Sequence, residues 1–306
     1  MRTFTDMSIQ LSAPSVCALG CFDGVHIGHA SIIEEAVRLA KELSVSAAVW
    51  SFTEPPKNFF LKDKIKLLTT RSEKRELMQK LGVDVLVSIP FSAEIASMSA
   101  KEFFEDVLLK KLNVVHLICG FNYRFGKGGE GNTEMLTDMC KKHGVGLSII
   151  PQVSAKKLSV SSSEIRIALS EGNTAAATAM LGRPYSITAT VVHGQHLGRS
   201  LGFPTINQLI SKKKLAPRNG VYVSRTRIGR LVYYGITNIG MRPTVDGKVL
   251  CAETNIFDYK GDLYGKRLTV ELLNFMRPEQ KFNSLDELTT QVHLDIQEAK
   301  NYVNDL

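Results

Sequence analysis

The chain has 306 residues, of which 44% are hydrophobic and 22% are charged, the composition of a globular protein long enough for two hydrophobic cores. Its net charge of +8 is modest, so nucleic acid is not expected as a partner. No apolar run reaches the roughly 18 residues of a membrane-spanning helix, and the first ten residues lack the pattern of an export signal. We expect a cytoplasmic protein without a membrane partner, and we leave assembly into a homo-oligomer open.

The five cysteines are an odd number and include no C-x-x-C pair. This sparse pattern is typical of buried thiols in a reducing compartment. Cys17 and Cys21, with the nearby histidines, offer metal ligands, but zinc sites favour other spacings. Core packing is the preferred interpretation.

The first half of the chain alternates short apolar runs with longer segments of helical spacing, the pattern of βαβ units around a parallel sheet. Right-handed crossovers bring the carboxyl ends of such strands to one edge, where ligands bind. We expect the function of this half at that edge. The predicted strands are 16–19, 45–52, 83–89, 114–119 and 146–151, and the predicted helices are 26–43, 72–81 and 100–112.

After residue 183 the helical spacing disappears for about ninety residues, and closely spaced strands with Gly, Asn and Asp turns follow. This pattern predicts an antiparallel barrel or sandwich. One closing helix is predicted, with Ser284 and Glu287 as a capping box and one apolar stripe. The expected domains are therefore 1–183 and 184–306. The predicted strands of the second domain are 186–192, 220–227, 231–236, 250–257 and 268–275.

The most informative motif is H-x-G-H, where the first predicted strand gives way to the first helix. His26 and His29 lie three residues apart, so both imidazoles share one face at the positive end of that helix. Two imidazoles beside unpaired backbone N–H groups suit a phosphate chain that gains charge as it is attacked. Gly28 leaves room for a nucleotide to approach. Core packing or metal binding by the two histidines is the alternative.

A second hydroxyl-rich helix start lies at residues 160–166. Ser162, Ser163 and Arg166 provide hydroxyls and a guanidinium that suit phosphate. Taken alone, the segment fits an N-cap serine with a surface arginine better.

In the second half, residues 198–207 form an unusual segment rich in Gly and Pro. If the segment is extended, Thr205 and Asn207 project to the same face, and their oxygens suit Mg²⁺, which takes few protein ligands beside phosphates and water. Glu253, in an otherwise apolar strand, is the candidate general base. The alternatives are a surface loop for the first segment and an exposed edge-strand carboxylate for Glu253.

The H-x-G-H motif, the later S-S-S-x-I-R and the segment 120–126, G-F-N-Y-R-F-G, resemble the adenylyltransferase half of bacterial bifunctional riboflavin kinase/FAD synthetases. The family commonly has a histidine in the segment 52–56, where this chain has F-T-E-P-P, which leaves adenine or flavin contacts there open. The resemblance implies a Rossmann-like nucleotidyltransferase domain, with His26, His29 and Arg166 as catalytic residues and ATP or phosphate contacts from Gly20, Phe22, Asp23, Gly28, Asn122, Ser162 and Ser163.

The second half is similar to the riboflavin kinase module of that family, through G-R-x-L-G-F-P-T-x-N and a series of later motifs in the family's order. This resemblance implies that Gly202 contacts ATP, that Thr205 and Asn207 hold Mg-ATP, and that Glu253 is the base. It also implies that Arg277 lies in a loop on the flavin side.

The resemblance implies two reactions, ATP with riboflavin giving FMN and ADP, then ATP with FMN giving FAD and pyrophosphate. Two alternatives stay open. In the first, the kinase is active but the adenylyltransferase half is impaired or repurposed; in the second, the chain is a flavin-binding regulator without catalysis.

Overall fold

The computed structural model of the chain describes residues 1–155, 158–194, 201–244 and 247–306. Contacts group these residues into two units, Met1–Ser162 (unit 1) and Ser163–Leu306 (unit 2). The first residues of the predicted Mg-ATP segment, 198–200, lie outside the described ranges. Each unit is considered by itself below.

Unit 1 is built on a six-stranded parallel sheet, which confirms the predicted α/β class. Its strand order is β1-β4-β3-β2-β5-β6. The chain leaves β2 toward β3 on one side and returns to β5 on the other, so β2 lies at the switch point where α/β sheets bind ligands. The strands are β1 (Arg2–Phe4), β2 (Ser15–Leu19), β3 (Ser46–Phe52), β4 (Val85–Ile89), β5 (Val114–Gly120) and β6 (Gly146–Ile150); β7 (Ser154–Ala155) and β8 (Leu158–Ser159) form a separate hairpin.

Helices connect these strands, and several begin at a side-chain cap. The first helix starts after His26 and the second after Thr70, which forms a capping box with Glu73. The predicted helix 100–112 begins as a short α-helix and continues as a π-helix over Phe103–Lys111. The helices of unit 1 are α1 (Ile27–Glu42), α2 (Arg71–Lys80), α3 (Ala93–Ser97), α4 (Ala100–Glu102) and α5 (Thr133–His143).

The sheet of unit 1 is covered on both faces, because alternate residues of its central strand enter different cores. In β2, Cys17 and Leu19 belong to one apolar cluster, whereas Val16 and Ala18 belong to the other. This arrangement is typical of parallel strands. Four of the five cysteines are buried as predicted, and Cys21 is half-buried in the loop after β2.

Unit 2 contains a closed six-stranded antiparallel barrel, as predicted, with strand order β10-β13-β12-β11-β14-β9. Closure leaves no unpaired sheet edge. The segment with Thr205, left without a predicted strand, forms β10, and the third predicted strand is longer than expected, ending at Thr244. Two helices, α6 (Ser162–Glu171) and α7 (Thr174–Leu181), precede the strands β9 (Tyr185–Val192), β10 (Thr205–Leu209), β11 (Gly220–Ile228), β12 (Leu231–Thr244), β13 (Gly247–Ile256) and β14 (Arg267–Arg277).

The closing helix, α8 (Leu285–Asn304), packs against the barrel through Val292, Ile296 and Ala299. Ser284 caps it by accepting a hydrogen bond from the Glu287 backbone N–H. The predicted capping box is wrong in one half, since the Glu287 carboxylate accepts from the backbone of Asn283, one residue earlier. In the described part of the chain, no helix has the length and apolarity needed to span a membrane.

Candidate active sites

The loop between β2 and α1 is tightly constrained at the switch point of unit 1. A Cβ at Gly20 would lie 2.8 Å from the Phe22 ring, so the chain needs glycine there. Phe22 and Val25 have left-handed φ angles of +51° and +42°, a conformation that costs such residues of order 1–3 kcal/mol each. Strain of this kind is concentrated at functional sites, which points to this loop.

His26 and His29 form a stacked pair at the start of α1. Their ring centroids are 3.5 Å apart and their planes differ by 15°. The His26 Nδ1 atom accepts a hydrogen bond of 3.2 Å from the His29 backbone N–H and so caps the helix. The structure therefore places both imidazoles on one face, as the sequence spacing predicts.

His29 is held in a neutral state by its surroundings. Burial lowers its pKa well below the usual value, and the neighbouring His26 and Lys74 lower it further. Its Nδ1 atom is buried and has no hydrogen-bond partner among the described residues. A buried imidazole nitrogen without a partner is costly for the protein, so a functional reason for it is expected.

Two of the predicted phosphate-binding side chains hold the loop itself. The buried Asp23 carboxylate accepts hydrogen bonds from the backbone N–H groups of Leu68 and Thr69, at 3.0 and 3.2 Å. The Ser162 hydroxyl donates to the Asp23 carbonyl at 2.9 Å. Both residues therefore fix the position of the loop that carries the histidines.

Three of the remaining predicted residues of the adenylyltransferase site lie on two other segments, and Gly28 lies in α1. Asn122 is exposed in the turn after β5, whose carboxyl end is at the same sheet edge as that of β2. Ser163 is exposed and Arg166 half-buried in the first turns of α6. Gly28 lies in the first turn of α1, where an added Cβ would come within 3.4 Å of the His26 ring.

Sequence reasoning missed a buried lysine next to this loop. Lys74, in α2, is 4% exposed, and its Nζ donates to the carbonyl oxygens of Cys21 at 2.8 Å and Phe52 at 2.9 Å. A signal was present in the sequence: Lys74 precedes the buried Met78 by four residues and therefore lies on the apolar face of the helix.

In unit 2, β10 brings Thr205 and Asn207 to the same face, since they are two residues apart on one strand. Asn207 is buried, and its Oδ1 accepts a hydrogen bond from Arg242 Nη1 at 3.2 Å. Its register partner on β13 is Glu253, which in turn is paired with Asn238 on β12. Directly paired residues of antiparallel strands project to one face, so these polar side chains converge.

Two cavities adjoin β10 and share one of its residues. The larger cavity, about 760 Å³, is lined by Gly202, Thr205 and Asn207 together with Tyr259 and Tyr264. The smaller cavity, about 260 Å³, is lined by Thr205 and by the predicted base and flavin-side residue, Glu253 and Arg277, with Leu288 and Val292 of α8 as its apolar wall. Thr205 therefore lies at the border between the two cavities.

Glu253 has the environment of a general base. It is half-buried, and burial raises the pKa of its carboxyl group. The Arg242 guanidinium acts in the opposite direction, and the Glu279 carboxylate raises the pKa of Glu253 further. A carboxylate of raised pKa accepts a proton from an alcohol more readily than an exposed one does.

Arg277 lines the smaller cavity but is not in a loop, so that expectation is wrong. It is the last residue of β14, where pairing with Val221 of β11 continues the strand. Its guanidinium forms a two-pronged ion pair with the buried Asp295 of α8, at 2.9 and 2.6 Å. The pair fixes α8 as one wall of the cavity.

The donor set of β10 fits magnesium bound through its nucleotide. No cluster of three or more His, Cys, Asp or Glu suited to a metal occurs in the described ranges. Thr205 and Asn207 each contribute one hard oxygen near the larger cavity, although the Asn207 Oδ1 already accepts from Arg242. Mg²⁺ requires only one or two protein ligands when phosphates and water supply the others.

Comparison with known proteins connects the two units to two enzyme families. A family model for FAD synthetase matches residues 8–164, and one for riboflavin kinase matches residues 181–303. The bifunctional riboflavin kinase/FMN adenylyltransferase of Bacillus subtilis is 36% identical and aligns with 96% of this chain and 94% of its own length. The enzyme of that name from Escherichia coli K12 is 35% identical over 94% of this chain and 92% of its own length.

A crystal structure with the same fold comes from Streptococcus pneumoniae, under the name macrolide-efflux protein. It covers 98% of this chain and 99% of its own, with a TM-score of 0.88 and 31% sequence identity. The two family models and the full-length relatives indicate the same family. The chain therefore belongs to the bifunctional riboflavin kinase/FMN adenylyltransferase family, whose members make FMN from riboflavin and FAD from FMN with ATP as the second substrate.

Proposed function

We propose that the kinase reaction takes place where the two cavities of unit 2 meet, with ATP in the larger cavity and riboflavin in the smaller one. The observation that supports this assignment is that Thr205 lines both cavities. The apolar wall of the smaller cavity suits a flavin ring, and the polar oxygens of the larger one suit a phosphate chain.

In the kinase step, Glu253 takes the proton of the terminal ribityl hydroxyl. The hydroxyl oxygen then forms a bond to the γ-phosphorus of ATP, and the bond to ADP breaks. Thr205 and Asn207 would hold Mg²⁺, which neutralises phosphate charge when it is bound. Asn207 and Glu253 are register partners, which supports a base close to the phosphate chain.

The test of this assignment is FMN formation by Glu253→Gln, with Glu298→Gln as the control. Glu298 is exposed on α8, so its substitution removes the same charge away from the cavities. We expect Glu253→Gln to lower the rate by about 10²-fold to 10⁴-fold, the usual contribution of a general base. Equal rates for both variants would contradict the role of Glu253.

For the adenylyltransferase reaction, we propose that FMN and ATP meet at the H-x-G-H loop of unit 1. An oxygen of the FMN phosphate forms a bond to the α-phosphorus of ATP, and the bond to pyrophosphate breaks. His26 and His29 stabilise the charge that builds on the leaving group. The same role for Arg166 rests on the S-S-S-x-I-R motif alone. The unpartnered Nδ1 atom of His29 and the strained loop support this role.

The matching test is FAD formation from FMN by His29→Ala, with His143→Ala as the control. His143 is exposed at the end of α5. Loss of FAD with FMN formation intact would eliminate the alternative of an impaired or repurposed first half. Unchanged FAD formation would support that alternative, and flavin binding without ATP consumption by the unaltered protein would support a non-catalytic regulator.

We further propose domains of 1–183 and 184–306 for the two activities. The matched ranges of the family models support this division, although contacts group α6 and α7 with the barrel. Kinase activity of separately expressed residues 184–306 tests it, and activity that requires residues 163–183 would move the boundary. Cytoplasmic location and independence from nucleic acid also stay proposals.

A further inference from the structure

Lys74 connects the H-x-G-H loop to the neighbouring strand. Its Nζ donates to the carbonyl oxygens of Cys21, after β2, and Phe52, at the end of β3, and lies 3.4 Å from the Ser51 hydroxyl. The capping box of Thr70 and Glu73 fixes the helix that carries it. The ammonium group therefore holds the two strand ends together at the ligand-binding edge.

The charge of Lys74 is not matched by an adjacent carboxylate. Its three hydrogen-bond acceptors are all neutral, and no carboxylate oxygen of the described residues lies within 4 Å of its Nζ. Burial lowers the pKa of Lys74, and Cys21 and Asp23 only partly oppose this effect. The Asp23 carboxylate itself accepts from the backbone N–H groups of Leu68 and Thr69. A buried cation without a close counter-charge is unfavourable in the protein alone.

An anion that balances the charge of Lys74 would lie beside the H-x-G-H loop. The loop fixed by Lys74 leads to His26 and His29, and the charge of Lys74 already lowers the pKa of His29. The Phe22 ring of the same loop contacts the His29 ring edge-on, with centroids 5.2 Å apart. A fixed positive charge and the positive end of α1 both favour an anion at this edge.

We propose that Lys74 is a positioning residue of adenylyl transfer, which holds the H-x-G-H loop and supplies the fixed positive charge that the phosphate chain of ATP compensates. This inference rests on the proposed location of adenylyl transfer in unit 1. A purely mechanical role, in which only the hydrogen bonds to the two carbonyls matter, is the competing explanation.

The two explanations differ in what they predict for a neutral donor. Lys74→Met removes both the charge and the hydrogen bonds, whereas Lys74→Gln removes the charge but keeps N–H donors. Lys80→Met is the control, since Lys80 is exposed in the same helix. The readouts are the inhibition constants of pyrophosphate and adenosine against FAD formation from FMN, which report on the adenylyltransferase site alone.

We expect both Lys74 variants to raise the inhibition constant of pyrophosphate by at least about tenfold, because the fixed positive charge near the phosphate-binding loop is lost. In Lys74→Gln the inhibition constant of adenosine stays within about twofold of the unaltered value, because adenosine carries no phosphate. Lys80→Met changes neither constant. Should Lys74→Met fail to fold, Lys74→Gln still gives both constants.

Two outcomes would overturn the proposal. If the inhibition constant of pyrophosphate in Lys74→Gln equals that of the unaltered protein, the hydrogen bonds suffice. If the inhibition constants of pyrophosphate and adenosine rise equally in Lys74→Gln, the residue only maintains the loop. Failure of the proposed location is separate, since His29→Ala would then leave FAD formation unchanged.

Discussion

Asn207 and Glu253 are register partners on the adjacent antiparallel strands β10 and β13, and Asn207 lines the larger cavity of the barrel whereas Glu253 lines the smaller one. Their separation is fixed by the hydrogen bonds of a closed barrel, so neither side chain depends on a loop for its position. This arrangement places the proposed base directly beside the proposed phosphate-binding residue.

The rate of FMN formation should depend on pH through Glu253. A general base must be ionised, so the rate falls as the pH decreases through its pKa. Burial and Glu279 raise that pKa, and Arg242 opposes them, so the acidic limb should lie above the ordinary glutamate value of about 4.3. Glu279→Gln removes one negative neighbour and should move the limb to lower pH, which a pH profile of the kinase rate checks. An unmoved limb would show that Glu279 does not act on Glu253.

Gly28→Ala should separate stability from activity in unit 1. The new Cβ would lie 3.4 Å from the His26 ring, an ordinary contact, and alanine stabilises a helix by about 0.5–1 kcal/mol relative to glycine. The methyl group enters the space proposed for the nucleotide, so we expect about a tenfold or greater loss in the rate of FAD formation. Thermal unfolding and FAD assays measure the two effects. Full activity would contradict nucleotide approach at Gly28.

Asp295→Asn should destabilise the barrel more than loss of a single hydrogen bond does. It leaves the Arg277 guanidinium, 16% exposed, without its carboxylate, and breaking such a buried pair costs about 3 kcal/mol. Gln291→Ala, which removes only one neutral donor to Asp295, is the matched control and should cost about 1 kcal/mol. The urea midpoint for loss of kinase activity reports both. A midpoint shift no larger than that of the control would contradict a stabilising role of the Arg277–Asp295 ion pair.

Sequence periodicity predicted five of the six strands of unit 1, because the central strands are buried on both faces and read as continuous apolar runs. It missed β1, which has only three residues and is largely exposed. The His26 cap explains why α1 starts within one residue of its predicted position. In the barrel, five strands were predicted from alternation and turn residues. The strand at Thr205–Leu209 was missed because it is short and directly follows Pro204, a residue that usually interrupts strands.

The site residues were recoverable from the sequence only where a local motif carries them. The pairing of Arg277 with Asp295 joins a strand to a helix 18 residues later, and no spacing rule predicts it. For Asp23 and Ser162 the phosphate contact stays a prediction, and no sequence pattern indicated that their carboxylate and hydroxyl also hold the loop. Sequence patterns do not show which neighbour a side chain contacts in the folded protein. Roles that depend on such a contact therefore could not be predicted.

The most direct test of the kinase site is Thr205→Val, which keeps the shape of the side chain and removes its hydroxyl. FMN formation from riboflavin and FAD formation from FMN are measured on the same preparation. The location of phosphoryl transfer at Thr205 predicts a loss of about 10²-fold or more in FMN formation, with FAD formation from FMN unchanged. Undiminished FMN formation, or an equal loss of both activities, would contradict it.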